Sequence, residues 1–487
     1  MSTKDNRKTI LTGSIILGIL YVLPIILANR YYHDDVPQIL YLSPVWIKDG
    51  RPLTDLLIRL LCGANNYIYD IFPLPLILAV VIMMSVSAKW SEKFYDIDGV
   101  AGVIVTFFPL SMGFFLSNLS YRFDCIGYVM AISLAMLPFL IETTVRWKKY
   151  VLNIACALAS MCFYQAMIGT YIGLVVVVMF IRLIRDEKPF EDVIVRALSS
   201  VTAALVYKFA IAPVIVDNTG WRANSGNLAS GTSVIAVMTG NIRDIVMLIA
   251  EYFRSVGLRQ VLVYILVFVL GLTATYRILE KSSKKHRIYT LLSYCALLPV
   301  VFIASVLPMS VLDHSSAQPN HVPEIITLMF VLATGLVLIY KKWPKAALAL
   351  GLLIVLFRFS FSYAYGNILR LQKEYADLTA QNIVRDIEEL DSDSIDEIVI
   401  EGKMPYSPTA KSLFELMPIL RQMVPSGIDN DGMLNGALIN HYYPHLLNFP
   451  DTDDDARRHL EDAGTPAVHN RVYDLYPENT RVYVRFR

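Results

Sequence analysis

Runs of about 20 mostly apolar residues recur through the first three-quarters of this chain, and no other feature limits its fold as strongly. One such run, coiled as a helix, covers the roughly 30 Å of hydrocarbon in a bilayer. A backbone in lipid must satisfy its own N–H and C=O groups, which leaves helices and closed barrels. Barrel strands would alternate apolar and polar residues in short segments, and that pattern is missing here. The expected fold is therefore an α-helical polytopic membrane protein with about eleven transmembrane helices. They are expected near 9–29, 71–89, 97–117, 125–142, 150–166, 167–184, 194–216, 258–278, 288–311, 323–340 and 346–364. Lys4, Arg7 and Lys8 ahead of the first run imitate a signal peptide, but no small-x-small cleavage site follows, so the first helix is read as retained. No internal repeat is visible, which argues against a transporter built from two related halves.

Charge divides the chain in two. From Ala364 onward it holds 12 basic and 21 acidic residues, a net of −9, whereas the remainder is net +10. A basic transmembrane module, 1–364, and an acidic C-terminal domain, 365–487, are thus separate objects. Basic residues also set the expected orientation. Lys89/Lys93, Arg146/Lys148/Lys149, Arg182/Arg185/Lys188, Lys281/Lys284/Lys285/Arg287 and Lys341/Lys342/Lys345 all fall in connections on one side, together with the N-terminus. The positive-inside rule makes that side cytoplasmic, and an odd number of crossings sends the tail outside. The five cysteines lie outside the tail and show no zinc-ligand spacing.

The long connections, 30–70, 217–257 and 312–322, then share the outer face with the tail. In the first of them, Trp46 to Cys62 carries Leu53, Leu56, Leu57, Leu60 and Leu61 at helical spacing, with Arg51, Asp55 and Arg59 opposite, as in a helix lying on the membrane surface. In the tail, Ile395–Ile400 alternates like a strand, Ser412–Met423 and Met433–Leu447 read as helices, and Arg481–Phe486 reads as a last strand. A small α/β domain follows from that order.

Chemistry concentrates in the same outer segments. Asp34 and Asp35 sit five and six residues beyond the first helix, at the outer water boundary. A carboxylate held there can serve as a general base; the same pair can equally be a solvated loop or a cap. Arg51, Arg59, Arg122 and Arg222 suit bidentate phosphate binding, and each suits helix anchoring as well. Lys208 and Arg358 lie inside apolar runs at the depth of outer head groups, where a cation faces an interior cavity or snorkels. Trp46, Tyr31 and Tyr32 can stack on a sugar ring. His33, His314 and His321 are too scattered to make a metal site, and no Gly-rich loop follows a strand to cradle a nucleotide. The reading includes no metal, no cofactor and no nucleic acid partner.

Arg30-Tyr31-Tyr32-His33-Asp34-Asp35, followed by Asp49-Gly50-Arg51-Pro52-Leu53, resembles the first outer loop of the GtrII-type glucosyltransferases that modify bacterial O-antigen. Leu119-Ser120-Tyr121-Arg122-Phe123-Asp124 and Tyr164-Gln165-Ala166 are similar to two further blocks of that family. The resemblance covers about the first 200 residues and carries nothing over to the tail. It implies a GT-C-like fold in the bacterial inner membrane, with the active site on the periplasmic face, the side to which the charge pattern already sends the C-terminal domain. It also implies an inverting transfer of a sugar, typically glucose, from undecaprenyl phosphate to a lipid-linked O-antigen unit, in association with the synthase and flippase of the donor lipid. Asp34 or Asp35 would be the base. Arg30, Tyr31, Tyr32, Trp46, Arg51, Arg122, Asp124, Tyr164, Gln165, Lys208 and Arg358 are the candidate substrate contacts. Two rival readings remain from the residues alone. One is an enzyme of the same fold with another sugar or acceptor, such as lipid A or a wall polymer; the other is a lipid or polysaccharide transporter.

Overall fold

The computed structural model describes residues 3–63, 66–188, 190, 192–217, 233–313, 317–390, 395–429, 432–444, 446–450 and 464–487. The chain is mostly helical, and eight of its described helical segments are long and apolar enough to cross a membrane. They are Asp5–Ala28, Leu74–Tyr95, Met167–Ile184, Val193–Ile215, Leu258–Ile278, Lys284–Ser310, Pro323–Tyr340 and the outset of Pro344–Glu388. These match eight of the eleven expected spans. The other three fall short for local reasons. Helix α5, Gly99–Phe107, tightens into a 3-10 turn over Phe108–Ser111, where Pro109 enters. Helix α7, Asp124–Leu140, has 17 residues. Helix α8, Arg146–Phe163, uses its first turn for Arg146, Lys148 and Lys149.

Helix α1, Thr3–Ala28, packs on α4, Leu74–Trp90, on α5, and on the long helix Pro344–Glu388. The last contact is close because position 366 is glycine: a Cβ there would lie 2.3 Å from Cβ of Pro24. One end of the bundle collects the basic connections. Lys93 pairs with Glu142 at 3.0 Å, and Lys149 and Arg182 share Asp192 at 2.7 and 3.0 Å. The helix directions place Arg30, Arg51 and Arg122 at the opposite end, with the tail.

The long helix has 45 residues, about 67 Å at 1.5 Å per residue, so it leaves the bundle and enters the tail. Its last turns cover a four-stranded sheet in the order β1-β4-β3-β2. Strand β1, Glu397–Glu401, runs parallel to β4, Arg481–Phe486; β2, Val468–His469, and β3, Tyr473–Glu478, are antiparallel. Ile383, Ile387, Ile398, Leu475 and Val484 form the core beneath. The two expected strands are present, and the expected helix 412–423 is split at Met417-Pro418 into Pro408–Leu416 and Ile419–Met423. The expected helix 433–447 is Gly432–Asn440. Phe414, Leu420 and Met423 do not join the sheet. They pack into the main helical core, which ties the tail to the end of the bundle.

The surface-lying segment is a shorter helix than expected. Helix α3, Pro52–Cys62, exposes Leu56 and Leu60 and turns Asp55 inward to pair with Arg59. Trp46 precedes it, fully buried against Phe123.

Candidate active site

Asp34 and Asp35 lie between α1 and the short helix α2, Asp35–Tyr41, in a tight turn where Asn29 and His33 have positive φ. Asp34 is exposed and Asp35 has no exposed surface. One Asp35 oxygen accepts from the Tyr32 N–H at 2.8 Å, and both accept from the Arg122 N–H at 3.1 Å. Asp35 thus fastens the first loop to the Ser120–Asp124 block, which comes 87 residues later. Burial pushes its carboxyl well above the usual carboxylate range, against the pull of those N–H groups.

The block then arranges two cations. The Arg122 guanidinium donates to Asp70 and, at 2.6 Å, to Asn29; Tyr31 and Phe72 lie over it at 4.1 and 4.7 Å. Arg51 donates to Asp124 at 2.9 Å and lies 4.6 Å from the Tyr164 ring centre. A stacked, ion-paired guanidinium is held in one orientation before any ligand arrives. Gln165 acts on the backbone instead. Its amide donates to the Asp49 carbonyl and to the Tyr207 hydroxyl, both at 2.8 Å, and Tyr207 donates to the Gly50 carbonyl at 2.7 Å. These bonds fix the corner from which Arg51 projects.

The remaining sequence candidates divide. Arg30 donates to the Pro425 carbonyl at 2.6 Å and Tyr32 to that of Met423 at 2.7 Å, so both latch the tail. A pocket of about 70 Å³ closes there, lined by Arg30, Tyr31 and His33 from the first loop and by Lys373, His441 and Tyr442 from the long helix and tail. Burial holds His33 down at about 4, so its ring is neutral at pH 7. Lys208 is exposed on a π-turn, next to Tyr207. Arg358 is buried at an apolar cavity of about 370 Å³ and donates to the Tyr252 hydroxyl, with the Tyr252 and Tyr264 rings 5.7 and 5.6 Å away. Arg222 and His314 lie outside the described residues.

Sequence reasoning passed over Asp70, Asn29, Asn118, Asn320 and Glu324, all of which belong to this end. Glu324 follows a proline just ahead of an apolar run, where a lone carboxylate reads as a helix cap. Among the described residues, no three His, Cys, Asp or Glu side chains come together to hold a metal ion.

The pieces that meet here come from positions 29–35, 46–51, 118–124, 164–165, 207 and 320–324. A family profile described as Glucosyl transferase GtrII matches residues 23–340, well over half of the chain and far beyond the first 200 residues of the sequence resemblance. It contains every one of those pieces, while the tail that latches onto Arg30 and Tyr32 lies beyond it. The chain is also 23% identical, over 499 aligned positions and 100% of both sequences, to an uncharacterized 55.3 kDa protein in the gtrB 5′ region of Salmonella phage P22. No solved structure matches it. With apolar helices sufficient for a membrane and a polar, Arg-rich site at one end, the chain belongs to the GtrII glucosyl transferase family of membrane glucosyltransferases.

Proposed function

We propose that the protein transfers glucose from undecaprenyl phosphate to a lipid-linked O-antigen unit, with inversion, at the periplasmic face of the bacterial inner membrane. The observation that carries this reading is the contrast within the acidic pair: Asp35 is buried as a scaffold, and Asp34 is presented at the surface beside it. Asp34 takes the proton of the acceptor hydroxyl as its oxygen attacks the anomeric carbon. The bond to the lipid phosphate breaks, and the phosphate leaves with the bonding pair. Arg51 and Arg122, already oriented by Asp124 and Asp70, meet the charge that develops on it. The cavity beside Arg358 offers an apolar lining and one cation, which suits a prenyl chain with its phosphate.

The division into a transmembrane module, 1–364, and a periplasmic domain, 365–487, is part of the same proposal, with the long helix crossing the boundary. So are a cytoplasmic N-terminus and association with the synthase and flippase of the donor lipid. The test is transfer by the purified protein from synthetic polyprenyl phosphate glucose. Asp34→Asn keeps the shape and removes the base, so the rate should fall about 10²–10⁴-fold with donor binding retained. Asp35→Asn should instead lower the thermal midpoint by loosening the first loop. An Asp34→Asn variant that transfers at the parental rate would remove the base assignment.

A further inference from the structure

Glu324 is a buried carboxyl, with no exposed surface, whose two oxygens both lack a partner among the described residues. It lies on the 3-10 turn Pro323–Ile326, packed against helix α9, Met167–Ile184, where position 169 must be glycine to let the Ser305 carbonyl and Glu324 approach. Tyr164, the ring over which Arg51 lies, stands just ahead of α9. Helix α6, Phe115–Leu119, packs on the same turn and contributes a second unmet acceptor. The Asn118 amide nitrogen donates to the Asn320 carbonyl at 2.9 Å, but its buried oxygen meets no donor. Asn320 in turn donates to the Tyr121 hydroxyl at 3.0 Å, and the Tyr121 ring stacks on His33 beside Asp34.

Unpaired buried polar groups are rare and cost free energy. Here the set is mixed: the two Glu324 oxygens and the Asn118 amide oxygen, the Ser117 hydroxyl on the same helix α6, and the Nε atoms of Arg51 and Arg122. Whatever completes them must both donate and accept hydrogen bonds. An ionised phosphate only accepts, so it cannot complete the Asn118 oxygen. A metal ion would need further ligands, and the described residues supply no such group. A hexose brings several hydroxyls.

We propose that Glu324, with the Asn118 amide oxygen, accepts hydrogen bonds from hydroxyl groups of the transferred sugar, and so determines which sugar is held while the arginines hold its phosphate. This deepens the glucosyltransfer reading and rests on it. The test uses the full chain in lipid vesicles, with polyprenyl phosphate glucose and its monodeoxyglucose analogues as donors. Glu324→Gln should fold with an unchanged or higher thermal midpoint, because an uncompensated buried carboxyl is gone. Its donor KM should rise about tenfold or more. One deoxy donor should lose about tenfold with the parent protein and nothing further with the variant, since the missing hydroxyl and the missing acceptor are partners. Glu324→Asp, shorter by one methylene, should erase the penalty of that same deoxy donor if Glu324→Gln does not fold. A donor KM within about twofold of the parent, or deoxy penalties that persist in full in both variants, overturns the assignment of Glu324 alone. A parent protein that transfers no sugar from the lipid phosphate overturns the glucosyltransfer reading and this one with it.

Discussion

Two neighbouring aspartates with opposite surroundings show what a sequence can and cannot convey at the scale of a residue. Their presence at the end of the first helix is legible, because paired carboxylates at a water boundary stand out. The division of labour between them is not, since it depends on the Arg122 N–H arriving from 87 positions away. Glu324 was illegible for the converse reason: a single carboxylate before an apolar run looks ordinary until both its oxygens prove to be sealed off. His33 gives a consequence in pH. Unfolded histidine takes up its proton near 6.5, whereas His33 is held down at about 4. Between those values the unfolded chain binds more protons than the folded one, so stability is lost as pH falls through that window. The thermal midpoint is expected to drop on acidification from pH 7 toward 4, and His33→Gln should flatten the slope. An unchanged slope would mean that His33 is solvated.

At the scale of elements, long uniform apolar runs were legible and interrupted ones were not. Eight spans are where hydropathy puts them, while Pro109 and the basic first turn of α8 shorten two others below a full crossing. In the tail, β1 and β4 alternate cleanly, but β3 carries Pro477 and a buried Asp474 paired with Arg487, which hides its pattern. The corner before α3 depends on a backbone that only glycine adopts easily. Gly50 has φ of 77°, and a Cβ there would lie 2.3 Å from the Tyr207 hydroxyl and 2.7 Å from the Gln165 amide. Gly50→Ala should therefore destabilise the protein by about 1–3 kcal/mol. It should also raise the KM for the lipid phosphate donor, because Arg51 is the next residue. A thermal midpoint and donor KM equal to the parent's would show that the corner relaxes without consequence.

The whole molecule is polarised, with its basic connections at one end and its polar site and tail at the other. If the basic end is cytoplasmic, a periplasm-active reporter fused after Arg487 should be active and one fused after Lys149 silent. The reverse result would turn the site toward the wrong compartment for the proposed substrates. The latch between loop and tail also bears on how the chain is made. Arg30 and Tyr32 bond to carbonyls 395 and 391 positions downstream. A ribosome therefore finishes most of the message before the first loop can be clamped, and the earliest functional residues to leave it are among the last to settle. A nascent or truncated product holds the first loop but not the tail carbonyls that Arg30 and Tyr32 bond, so on the proposed reading incomplete molecules would be kept from handling sugar lipids by the order of synthesis itself.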